Sequence, residues 1–108
     1  MKISRSKHYD RAYKSKIERK HKTKEIETIK NIEDLIVDSD NLKNLLGNPL
    51  SYVYNINNKS GNLKEIYTAN VNQKIRLYMK PVGKYPYNEI EITEMEFIEI
   101  DDQHYGDG

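Results

Sequence analysis

Cysteine is absent from this 108-residue chain, which excludes disulfides, thiolate nucleophiles and thiolate metal sites. Tryptophan is absent and phenylalanine occurs once. Aromatic packing therefore falls to nine tyrosines, each with a hydroxyl that needs water, a partner or a ligand. No apolar run approaches the roughly 18–20 residues of a membrane span, and the N-terminus lacks the apolar centre of a signal peptide. The expectation is a soluble protein of the cytoplasm, with no membrane partner. Glycine and proline are sparse, at five and three residues. No internal repeat or low-complexity tract is visible. The P-loop, the dinucleotide-binding turn, the zinc-ligand pattern and the serine triad are all missing. The acids Asp101, Asp102 and Asp107 match no calcium or magnesium spacing. No metal and no cofactor is expected.

What is present is charge, at 32% of residues, against 36% apolar. The length fits one domain spanning 1–108, with a lean core. The net charge of +1 conceals a strong polarity. Residues 1–24 hold ten Lys or Arg against two acids, a balance of +8. Residues 89–108 hold eight acids and no Lys or Arg, a balance of −8. Two readings follow: solvated faces that attract each other across the fold, or a phosphate-facing basic surface beside an acidic edge.

Hydrophobic periodicity sets the element order. Residues 1–6 alternate weakly, as a short edge strand does. Tyr9, Ala12, Tyr13 and Ile17 recur at helical spacing and predict a helix over 9–22, with His21 exposed and passive at its end. Ile26, Ile29, Ile32, Leu35 and Ile36 predict a second helix over 24–38, with Thr23 as its N-cap. A brief helical turn is expected over 40–46, capped by Asp40 and stopped by Gly47. A packed loop or short strand is expected over 50–56, and turn chemistry over 57–62. Three strands then follow, over 63–71, 74–80 and 89–100. In the second of these, Ile75, Leu77 and Met79 point one way, and Lys74, Arg76, Tyr78 and Lys80 the other. In the third, the alternation changes phase and calls for a bulge. The fold class is α+β: two N-terminal helices packed on one face of a small, twisted, mainly antiparallel sheet, the other face left free to bind.

The residues that could carry chemistry are Arg76, its neighbours Lys64, Lys74 and Lys80, and the tail residues Asp102, Gln103, His104 and Tyr105. A meander brings the end of the third strand back beside the start of the second, and so His104 towards Arg76. Imidazole moves a proton at neutral pH. Guanidinium steadies charge growing on a phosphate. The pair suits phosphodiester cleavage, with Asp102 orienting the imidazole.

Three blocks carry a resemblance: KEIYT at 64–68, NQKIRL at 72–77 and FIEIDDQHY at 97–105. Together they resemble the RelE/ParE toxin superfamily, most of all its HigB-like branch. Gly61, Lys64, Tyr67, Thr68, Asn72, Arg76, Glu99, Ile100, Asp102 and His104 fall on that pattern, over residues 61–108. The resemblance implies a microbial RNase (RelE-like) fold. It implies the toxin of a type II toxin–antitoxin pair: an endoribonuclease cutting mRNA, commonly on the ribosome, silenced by a cognate antitoxin. No metal is needed in that chemistry, because the 2′-hydroxyl attacks under acid–base catalysis. Carried over by position, Arg76 stabilises the scissile phosphate, and Asp102 and His104 form the acid–base pair. RNA contacts are expected at Lys64, Tyr67, Lys74, Tyr78, Lys80, Gln103 and Tyr105. The chain departs from the pattern at Gln103, where the branch often has Tyr, and at Asn70, where many members carry a basic residue. Two alternatives share the fold or the charge pattern: a ParE-like inhibitor of DNA gyrase that cleaves no RNA, and a non-catalytic interaction module.

Overall fold

The computed structural model describes residues 1–102. One five-stranded sheet has the order β1-β5-β4-β3-β2. The strands are β1 (Lys2–Arg5), β2 (Asn57–Asn58), β3 (Tyr67–Asn70), β4 (Arg76–Pro81) and β5 (Glu94–Asp101). β1 runs parallel to β5 at one edge, and every other pairing is antiparallel. The expected meander is thus β3-β4-β5, widened by a short strand on each side. The helices are α1 (Lys7–Tyr13), α2 (Thr23–Asp38), α3 (Leu42–Gly47) and α4 (Leu50–Val53).

One face of the sheet is apolar. Ala69, Leu77, Met79, Met95, Phe97 and Ile100 are fully buried there, in one cluster with Ile17, Ile29, Ile32 and Ile36 from the helical segments. The α+β expectation therefore holds, and so does the bulge. Tyr78 pairs with Glu99 but Met79 with Phe97, so Ile98 is the extra residue. With one residue inserted, Phe97 and Ile100 both reach the core although they are three apart.

Several boundaries differ from the sequence reading, each for a local reason. The first helix is α-helical only to Tyr13 and continues as a π turn over Lys14–Glu18. Its bonds reach back five residues, from Arg19 N–H to Lys14 O at 2.9 Å and from Lys22 N–H to Ile17 O at 3.2 Å. His21 then takes φ +52° and ends the segment, exposed as expected. Thr23 is the first helical residue of α2, not its cap. Asn41, not Asp40, caps α3 by accepting from Asn44 N–H. Residues 50–53 form a helical turn, not a loop or strand. Pro49 suits that start, since it has no N–H to leave unbonded, and Asn48 Oδ1 accepts from Leu50 N–H. Asn57 and Asn58, expected as turn, pair with β3. Residues 63–66 are not strand: a 3₁₀ turn occupies Gly61–Leu63, and Gly61, within the expected turn, takes φ +67°. Residues 89–93 are also not strand. The carbonyls of Glu89 and Ile92 accept from the first amides of α3 and so leave the ladder.

Tyr9 lies at the centre of the core, 2% exposed, with its ring edge-on to Phe97 at 5.4 Å. Its hydroxyl is sealed from solvent and has no hydrogen-bond partner among the described residues. Burial, and then the charge of Glu33, push its ionisation well above the ordinary tyrosine value. The folded form therefore resists deprotonation. The stability this gives is complete below about pH 10 and is lost as pH climbs from there towards the folded value. Removing an unsatisfied buried hydroxyl relieves its desolvation cost. Tyr9→Phe is expected to raise unfolding stability by about 1 kcal/mol and to move alkaline unfolding to higher pH. Urea titrations at neutral and alkaline pH read both effects.

Candidate functional site

The second face of the sheet is polar, and it is built in cross-strand rows. The row at the β3–β4 hairpin end is Asn70, Arg76 and Asp101. The next is Thr68, Tyr78 and Glu99. Lys80 and Glu96 follow, with Ser4 beyond them on β1. These positions share a face because they alternate with the buried Leu77 and Met79.

Arg76 opens β4. Its Nε donates to Asn70 Oδ1 at 3.1 Å, which fixes the plane of the guanidinium. Behind it, Asn72 builds the turn. Its Oδ1 accepts from Lys74 N–H at 2.8 Å and Ile75 N–H at 2.7 Å, while its Nδ2 donates to Glu25 on α2 at 2.9 Å. Tyr78 has its ionisation pushed up, first by burial and then by Asp101, with Arg76 opposing. Its hydroxyl is therefore protonated at neutral pH. Lys59 sits over its ring at 5.2 Å.

The structure brings some of the expected site residues together and separates others. Arg76, Tyr78 and Lys80 share the polar face, and Lys80 lies 3.8 Å from Glu65. Lys74 is exposed in the turn before β4, not on a strand. Lys64 is exposed beyond the 3₁₀ turn, with its ammonium 5.4 Å from the Tyr85 ring centre. Tyr67 faces the other way: it pairs with Met79, is 7% exposed and belongs to the core. Asp102 is held at the end of β5 by Lys16, at 3.5 Å, and Lys20, at 3.9 Å. The strand register sets Asp101 opposite Arg76. Gln103, His104 and Tyr105 lie outside the described residues.

Three contributors escape a reading by periodicity. Asn70 holds Arg76. His8, far upstream in sequence, meets Glu99 with Nε2 and Oε1 3.0 Å apart. Lys16 donates to the carbonyl of Ile100 at 2.9 Å. The signal for Asp101 was available, since a one-residue bulge predicts which acid follows Ile100 onto the polar face. Nothing local marks His8 or Lys16. Among the described residues, no three His, Asp or Glu converge as a metal-ligand set, and no helix is long and apolar enough to cross a membrane.

No protein-family model matches the sequence, and no curated protein matches it significantly. Solved structures do match. YafQ from E. coli strain BL21(DE3) superposes with a TM-score of 0.66 at 19% identity, covering 94% of this chain and 91% of that one. YafQ in the E. coli DinJ–YafQ complex gives 0.63 at 19% identity, over 93% and 90%. A YoeB/ParE toxin from Agrobacterium tumefaciens gives 0.61 at 12% identity, over 96% and 100%. The fold expected from the resemblance to RelE/ParE toxins is the fold observed.

The clamp on β5 is open to direct measurement. Lys16→Met removes a donor from an edge carbonyl and a cation from Asp102. It is expected to cost about 1 kcal/mol in urea unfolding. Amide exchange should accelerate at the end of β5 and stay unchanged in α2.

Proposed function

We propose that this chain is the toxin of a toxin–antitoxin pair and acts as an endoribonuclease on mRNA, engaged on the ribosome. The observation that carries the reading is Arg76: a guanidinium oriented by Asn70 on the open face of a RelE/ParE-type sheet, in register with the end of β5. A planar cation held there suits a phosphodiester better than a neutral ligand.

The reaction is an in-line attack by the ribose 2′-hydroxyl on the adjacent phosphorus. The O2′–P bond forms and the P–O5′ bond breaks. The 2′-hydroxyl proton passes to a base, and a proton passes from an acid to the departing O5′. The products are a 2′,3′-cyclic phosphate and a 5′-hydroxyl. Arg76 stabilises the charge that accumulates on the non-bridging oxygens. Asp102 and His104 are assigned the acid and base roles by the family pattern; Asp102 follows Asp101, the register partner of Arg76. Tyr78 shares that face, and its protonated hydroxyl donates to Asp101, the register partner of Arg76, so that it holds the carboxylate beside the guanidinium. Lys64, Lys74 and Lys80 supply cationic surface for the rest of the strand. Residues 103 and 105 extend that contact along the RNA.

The partner is a cognate antitoxin, and an acidic segment fits the basic surface that an mRNA also occupies. The DinJ–YafQ complex is a precedent for a fold of this kind seated against a second protein.

Arg76→Ala is expected to lower RNA cleavage by about 100-fold or more and to relieve growth arrest in cells producing the chain. His104→Ala should do the same. Circular dichroism should report both variants folded. Mapping of RNA ends in induced cells reads the activity. Intact transcripts accompanied by DNA damage would replace this reading with gyrase inhibition, and two fully toxic variants would remove both residues from the site.

A further inference from the structure

A groove of about 530 Å³ opens beside Arg76, between the β3–β4 turn, α2 and α4. Pockets that hold small organic groups run from about 300 to 1,000 Å³. Its walls combine two kinds of surface. Val53, 67% exposed, and the partly exposed Tyr54 offer an apolar flank. Asn70, Gln73 and Arg76 offer polar groups opposite.

The orientation of Asn70 follows from chemistry. A guanidinium N–H only donates, so the amide must turn its oxygen to Arg76 Nε. The Nδ2 group then points away as a donor, and it has no hydrogen-bond partner among the described residues. Asn72, by contrast, has both ends of its amide engaged in holding the turn. Gln73 is exposed and makes no side-chain hydrogen bond among the described residues.

We infer that this groove reads one nucleobase of the RNA, the base adjoining the phosphate held by Arg76, and that the Asn70 amide selects keto bases over amino bases. The inference rests on the ribonuclease reading and deepens it. Arg76 belongs to both the site and the groove, so a nucleotide whose phosphate it grips has its base within reach of the groove. The base lies against Val53 and Tyr54, where every base offers a π face. The fixed Nδ2 donates to the O6 of guanine or the O4 of uracil. Adenine and cytosine place an amino group there, donor against donor. Gln73 can follow the base from the loop side and tighten the contact.

The test is the base preference at the nucleotide beside the scissile bond, mapped on transcripts in cells producing the whole chain. The wild type should favour G or U there by about tenfold. Asn70→Asp keeps an oxygen for Arg76 and replaces the donor by an acceptor, so it should reverse the preference towards A or C. Gln73→Ala, an exposed loop change, should reduce the wild-type preference several-fold and serves where Asn70→Asp cleaves too slowly to map. Cleavage whose base preference is flat, or is unmoved by either variant, overturns the subsite and leaves the nuclease reading standing. Preference carried by a shape shared by all purines, with Asn70→Asp equal to wild type, overturns it too. Absence of cleavage by the wild type overturns the nuclease reading itself.

Discussion

The pairing of β4 with β5, one residue out of step at Ile98, is the constraint on which the rest depends. Strand alternation alone would send Phe97 and Ile100 to opposite faces. The inserted residue lets both enter the core and keeps Glu96, Glu99 and Asp101 on the polar side. The same shift sets Arg76 opposite Asp101. Without it, either the core would lose an aromatic anchor or the arginine would face an apolar neighbour. One irregularity therefore sets both the packing of the core and the cross-strand row that holds Arg76.

A second constraint is the free edge of β5. β1 covers only Glu94–Phe97, so the carbonyls beyond lack a strand partner. The first helical segment supplies substitutes. Ser6 N–H donates to Phe97 O at 3.0 Å and Ser6 Oγ to Ile98 O at 3.3 Å, while Lys16 serves Ile100 O. Covering an edge with polar and cationic side chains protects it from pairing with another chain. The π turn belongs to this arrangement. Within it Ile17 is fully buried while its neighbour Lys16 reaches the strand edge. A helix that serves the core and a strand edge at once has reason to depart from regular winding.

The sequence made the layers legible because they rest on periodicity. The apolar stripe of α2 is read correctly, as is the alternation of β4 from Arg76 to Lys80, and the phase change in β5 announces its bulge. The orientation of Arg76 was also visible, since an arginine between Ile75 and Leu77 must face away from the core. What stayed hidden depends on long-range partners. Residues 50–53 read as loop because a single helical turn carries no period. Residues 89–93 read as strand because their composition is apolar enough, but α3 captures their carbonyls. Tyr67 matches a family position and yet serves the core, as its own alternation with Ala69 and Val71 implies. Asn70 reads as a departure from the family pattern, and only the folded ladder reveals it as the group that orients Arg76. His8 meets Glu99 across most of the chain, which no local pattern encodes.

The charge polarity resolves into two populations. Some of the basic N-terminal residues are consumed inside the molecule: Arg5 pairs with Glu33 at 2.8 Å, and Lys16 and Lys20 hold Asp102. Lys7, Arg11, Lys14 and Arg19 are exposed and form no ion pair among the described residues. Mutual attraction between the two ends of the chain therefore accounts for only part of the excess. The remainder stands on the helical segment that flanks the edge of β5. Cations spaced along a surface bind a polyanion through its backbone and speed its arrival, but they read no sequence. On the ribonuclease reading proposed above, discrimination between RNAs would have to come from a place where bases meet fixed donors, and the groove beside Arg76 has both the amide and the apolar flank for that. On that reading, gathering the strand and judging its sequence are separate tasks that would fall to different elements of one fold.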